Sequence, residues 1–83
     1  MSFIDRLEKT IKKKEEAIEK EKMKISDLKE KLHSNDITRA KYNIKKAKIE
    51  NKIRTMDSRI RTLKGMIIKE RKHIEEKKRK DKK

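Results

Sequence analysis

An apolar residue recurs every seven positions along the first third of this chain, from Ile4 through Ile11, Ile18 and Ile25 to Leu32. Leu7, Lys14, Glu21 and Leu28 hold the position three further on, so steps of three and four alternate and both sets share one face of an α-helix. At 1.5 Å per residue that stripe is about 42 Å long. A face so long and so narrow is buried only by another long helix. Ser2 followed by Asp5 three residues later reads as a capping box that starts the helix.

The partner helix lies in the same chain. His33-Ser34-Asn35-Asp36 is the one cluster of turn-forming polar residues, with Asn35 suited to a left-handed conformation and Asp36 to capping a new helix. Beyond it Ile49, Ile53, Met56, Ile60, Leu63, Ile67 and Ile74 keep a heptad spacing, whereas Ile37, Ala40, Ile44 and Ala47 run in another phase. The pattern therefore predicts that the register slips near 47–49, which means either local over- or underwinding or a wider buried face near the turn that contacts a second protein. Gly65 is the lone glycine, and because the apolar phase runs through it the helix is expected to continue there.

The fold class that follows is all-α: an antiparallel two-helix coiled-coil hairpin in a single unit. Helix one is expected over about 3–33, a turn at 33–36, helix two over about 37–78 and a frayed basic tail at 77–83. Folding about the turn would set Leu32 against Ile37, Leu28 against Lys41 or Tyr42, and Ile4 against Met66. Residues beyond 66, including Ile67, Ile68 and Ile74, would then overhang. An isolated two-helix hairpin also buries little apolar surface, so a homodimer forming a four-helix bundle is expected, with Ile53, Met56, Ile60, Leu63, Ile67 and Ile74 at its interface. In the same pairing the two polar seam residues would act as register devices, Glu21 near Lys48 and Lys14 near Asp57; the competing reading makes them the lining of a polar groove.

Composition narrows the function classes. The 83 residues are 53% charged and only 30% apolar, with no cysteine and no proline. No disulfide framework, zinc knuckle or thiol nucleophile can be built, and His33 and His73 lie 40 positions apart with no ligand cluster around them. A single rod offers no pocket in which to desolvate a transition state. The expectation is a non-enzyme without cofactor or metal. No stretch approaches the roughly 20 apolar residues of a membrane span, and the first residues lack a secretory apolar core, so a soluble cytoplasmic protein is expected. Abundant Lys, Glu and Ile with no Gln is a thermophile-like composition, one that an AT-rich genome would also produce.

The net charge of +14 is unevenly placed. Residues 1–35 carry 10 basic and 8 acidic side chains, a net of +2; residues 36–83 carry 19 and 7, a net of +12. Two basic sets lie on helix two. Lys41, Lys45, Lys48, Lys52 and Arg59 flank the seam, and their plainest reading is salt bridging to Glu8, Glu15 and Glu19 of helix one. Arg54, Arg61, Lys69 and Lys72 lie outward among Asn51, Thr55, Ser58 and Thr62, a mixture that suits phosphate oxygens, although a merely solvated face has the same composition. With only Phe3 and Tyr42 as aromatics, base stacking is not supported.

The leading expectation is thus a small basic coiled-coil protein that binds duplex DNA or structured RNA through backbone phosphates, without sequence preference, as an architectural or nucleoid-associated factor. The alternative is an interaction module that docks on a larger protein through Ile67, Met66, Ile68 and Ile74. Peripheral attachment to anionic lipid is a third reading, weakened by the lack of Trp and by Ile74 being the one apolar residue after Ile68.

Overall fold

The computed structural model describes residues 2–81, with side-chain surroundings for 2–78. It shows two helices, α1 (Phe3–His33) and α2 (Arg39–Asp81), packed on one another as a hairpin. The rod measures 71 × 19 × 13 Å.

Helix α1 starts where the capping box places it. Ser2 Oγ accepts from the Asp5 amide at 3.1 Å, and the Asp5 carboxylate accepts from the Ser2 amide at 3.4 Å. Its end is closed by a Schellman arrangement. Asn35 takes a left-handed φ of 62°, its amide donates to the Leu32 carbonyl, and the Asp36 amide donates to the Lys31 carbonyl. Asp36 therefore finishes α1 and does not cap α2. The cap is Thr38, whose Oγ1 accepts from the Lys41 amide at 3.2 Å and whose carbonyl accepts from the Tyr42 amide. Helix α2 runs without a break to Asp81, through part of the tail expected to fray; Lys82 and Lys83 lie outside the described residues.

On α1 the buried and half-buried positions follow the heptad: Ile4, Leu7, Ile11, Lys14, Ile18, Glu21, Ile25, Leu28 and Leu32. On α2 the seam is Tyr42, Lys46, Ile49, Ile53, Met56, Ile60, Leu63, Ile67 and Glu70, an unbroken alternation of four and three. The slip expected near 47–49 does not occur. Tyr42 and Lys46 continue the seam toward the turn, while Ala40, Ile44 and Ala47 point away from α1 and are exposed. Lys46 Nζ lies 5.7 Å from the centre of the Tyr42 ring, so a cation and an aromatic face fill a layer where two aliphatic side chains would be expected.

The pairing of the two helices differs from the turn-centred expectation by about one heptad. Glu8 pairs with Arg71, Ile11 and Ile67 line one groove, and Leu28 and Ile49 line another. Leu7, Ile11, Ile18, Ile60 and Ile67 form the core cluster, with Ile4, Ile53, Met56 and Leu63 packed against it. Ile67 is accordingly buried and does not overhang, which removes one of the two grounds for expecting a second chain. Translating one heptad helix past another by seven residues preserves every match of apolar to apolar, so the sequence pattern admits both pairings.

The new pairing also undoes the two polar interactions expected in the seam. Glu21 bonds to Lys24 on its own helix at 3.1 Å, not to Lys48. Lys14 is half-buried and makes no ion pair with Asp57. Gly65 lies in continuous helix with negative φ, and a Cβ built on it would meet nothing within 4 Å. The idea of a close backbone approach at Gly65 is thereby excluded within this chain. Gly65→Ala is expected to stabilise the hairpin by about 1 kcal/mol, since helix propensity rises and nothing nearby is strained. Urea unfolding of the two proteins checks this, and a loss of stability would mean that the position is covered by something other than α1.

Candidate nucleic-acid interface

An antiparallel pair of helices has two long edges, and here they differ in charge. One edge has a groove lined by Glu8, Ile11, Glu15, Lys64, Ile67, Ile68 and Arg71. Its charges are mixed, and Arg71 reaches Glu8 at 3.0 Å. The other edge has a groove of about 370 Å³ lined by Lys24, Asp27, Leu28, Lys31, Lys45, Lys48, Ile49 and Lys52. Five lysines, two from α1 and three from α2, surround it with one aspartate.

This arrangement corrects the salt-bridge reading of the flanking lysines. Glu8 and Glu15 lie on the mixed edge, across the seam from Lys45, Lys48 and Lys52. Reversing the direction of one helix exchanges its left and right flanks, so residues that would meet glutamates in a parallel pair meet lysines here. Among the described residues the ion pairs are Lys22–Glu19, Lys24–Glu21 and Arg71–Glu8. Lys41, Lys45, Lys48, Lys52 and Arg59 take part in none of them, and all are exposed.

The outward set is placed as expected, on exposed positions of α2, but its polar neighbours are partly occupied. Arg54 donates to the Asn51 side-chain oxygen at 2.7 Å. Thr55 and Thr62 hydroxyls donate back to the carbonyls of Asn51 and Ser58. Such back-bonding uses the hydroxyl hydrogens within the helix and leaves the oxygens as acceptors, which do not favour phosphate. Arg61, Lys69 and Lys72 are exposed and unpaired among the described residues. The outward face therefore contributes cations, with the Ser58 hydroxyl and the Asn51 side-chain NH2 as its donors in place of Thr55 and Thr62.

Of the residues expected at an oligomer interface, Ile60 and Ile67 are buried against α1, while Ile53, Met56 and Leu63 are half-buried in the same cluster. Ile74 remains 41% exposed. Of the residues expected to dock a larger protein, Met66, Ile68 and Ile74 are exposed. Ile67 faces inward, and Met66 and Ile68 are two residues apart, which on a helix separates them by roughly 200°. Sequence reasoning also missed Lys24 and Lys31, the α1 side of the lysine groove; the signal was their position one residue before the seam residues Ile25 and Leu32.

Among the described residues no cluster of three or more metal-ligating side chains is present, and no helix is long and apolar enough to cross a membrane. Compared with family models, curated proteins and solved structures, the chain matches none of them.

Proposed function

We propose that this hairpin binds the phosphate backbone of a nucleic-acid duplex along its lysine edge. The observation that carries the reading is the groove at which Lys24 and Lys31 of α1 converge with Lys45, Lys48 and Lys52 of α2, with Asp27 the one acid lining it and Lys24 also bonded to Glu21 at 3.1 Å. Like charges set face to face across a coiled coil destabilise it. A polyanion lying along that edge reverses the sign of the cost. It neutralises both rows at once and releases its condensed counterions. Lys41 and Arg59 extend the row in both directions on the same flank of α2, and Arg54, Arg61, Lys69 and Lys72 supply further positive potential from the outward face.

Binding of this kind follows backbone spacing and shape. It has little preference for sequence, in keeping with the absence of a base-stacking aromatic platform: Tyr42 is buried in the seam. On this reading the protein is an architectural, nucleoid-type factor for DNA, or its counterpart on structured RNA, and works without a cofactor.

The test is a salt titration of duplex DNA and duplex RNA by fluorescence anisotropy, comparing the native chain with a Lys45→Gln, Lys48→Gln, Lys52→Gln variant. All three side chains are exposed, so the hairpin should fold and even gain slightly from relieved repulsion. Affinity should fall for every sequence alike. The slope of log affinity against log salt should shrink by about 0.9 for each DNA phosphate that the variant no longer neutralises. An unchanged slope in the variant would refute the lysine edge as the binding surface, and no binding by the native chain at low salt would refute the function.

A further inference from the structure

Helix α2 carries a second apolar face that the hairpin does not use. Ala40, Ile44 and Ala47 follow one another at steps of four and three, and at 100° per residue they lie on the side of α2 opposite its seam, while Ile37 precedes the helix at the turn. Ala40, Ile44 and Ala47 are exposed, Ile44 at 59%, and Ile37 is half-buried at the turn. In a chain so rich in charge, three consecutive positions of one face free of any charge form a strip about 10 Å long. It has the spacing that one helix presents to another.

The charges beside the strip select its occupant. Lys41 and Lys48 border it on one side, whereas the other side carries Asn43 and Glu50, with Arg54 a further turn along. A second copy of this chain packed antiparallel on the strip would bring Lys41 and Lys48 of both copies face to face. Nor does α1 offer an alternative, because the heptad positions opposite its seam are Lys9, Glu16, Met23 and Glu30, with no apolar row among them. A helix with apolar residues along one face and glutamate or aspartate flanking them would bury Ile44 and meet Lys41 and Lys48 with opposite charge. We propose that the outer face of α2 at Ala40, Ile44 and Ala47 is a docking strip for an acidic amphipathic helix of a partner protein.

The probe is a labelled four-heptad peptide with leucine at its seam positions and glutamate at the flanking ones, titrated with the full chain and followed by anisotropy. Two control peptides share its length: one keeps the leucines and carries lysine flanks, the other keeps the glutamates and carries glutamine in the seam. Only the first should bind tightly, and Ile44→Gln should weaken it by about tenfold or more, as expected for loss of one buried isoleucine. Ala47→Gln, on the same strip, should weaken it in the same direction, and both variants should keep the helical circular dichroism of the native chain because neither side chain touches the core. Equal binding of the glutamine-seam peptide, or equal affinity of the native and Ile44→Gln chains, would reduce the interaction to charge alone and overturn the proposal. So would a native dimer in sedimentation that Ile44→Gln dissociates, since a second copy would then be the occupant.

Discussion

Ile67→Ala is expected to lower the stability of the hairpin by about 3 kcal/mol, within the range for truncating a buried isoleucine. Ile67 is 6% exposed and belongs to the cluster with Leu7, Ile11, Ile18 and Ile60. Its neighbour Ile68 is 56% exposed, so Ile68→Ala should change stability by no more than about 0.5 kcal/mol. The pair of variants reads out the pairing of the helices directly. In the turn-centred pairing Ile67 lies beyond the end of α1, and both substitutions would be nearly silent in a single chain. Chemical denaturation at low protein concentration measures the difference. Equal, small effects would restore the turn-centred pairing and with it the need for a second chain.

The second large effect is expected at Glu21, with the opposite sign. This carboxylate sits at a seam position with 9% of its surface exposed. One oxygen accepts from Lys24 Nζ at 3.1 Å, and the other is buried without a hydrogen-bond partner. A buried acceptor left unsatisfied costs about 1–3 kcal/mol, more when the group is charged. The bond to Lys24 offsets little, because that ammonium is 59% exposed and well screened. Glu21→Leu removes the cost and adds an apolar side chain to the seam, so it should stabilise the hairpin by about 2 kcal/mol or more. Thermal and urea midpoints check the sign. A fall in stability would show that leucine cannot pack at this layer, or that the carboxylate fixes the helix pairing and its removal lets the helices slide.

How far the sequence alone reaches is clearest where its periodicity is degenerate. The stripe from Ile4 to Leu32 and the capping box at Ser2 need only local geometry, and both stand in the structure as read. Asn35 is likewise local, since its side chain tolerates the left-handed backbone that ends α1. The pairing of Glu8 with Arg71 is not local. A heptad pattern matches itself after every seven residues, and the length of the turn cannot choose between adjacent matches to within a heptad. The choice lies in packing that periodicity does not encode, including the layer in which Tyr42 and Lys46 take seam positions.

The candidate site is half legible for a related reason. Lys45, Lys48 and Lys52 are visible as a flank of α2, but which edge of α1 they face depends on the antiparallel sense of the pair, and that places Lys24 and Lys31 opposite them. Ile44 illustrates the reverse error. Its apolar character suggests a seam position, and the structure turns it outward because the seam of α2 is carried through that region by an aromatic and a charged residue.

The slenderness of the rod has a kinetic consequence. Packing between the helices joins residues that are close in sequence near the turn, such as Leu28 and Ile49, and far apart at the open end, where Glu8 and Arg71 are 63 positions apart. Each further step outward adds little loop entropy once the preceding one has closed. The molecule should therefore assemble like a zipper drawn from Asn35 toward Ser2, with order spreading along one dimension instead of condensing around a centre. In reverse, the ends opposite the turn separate first, and amide exchange should be fastest there while the segments beside Leu28 and Ile49 remain protected.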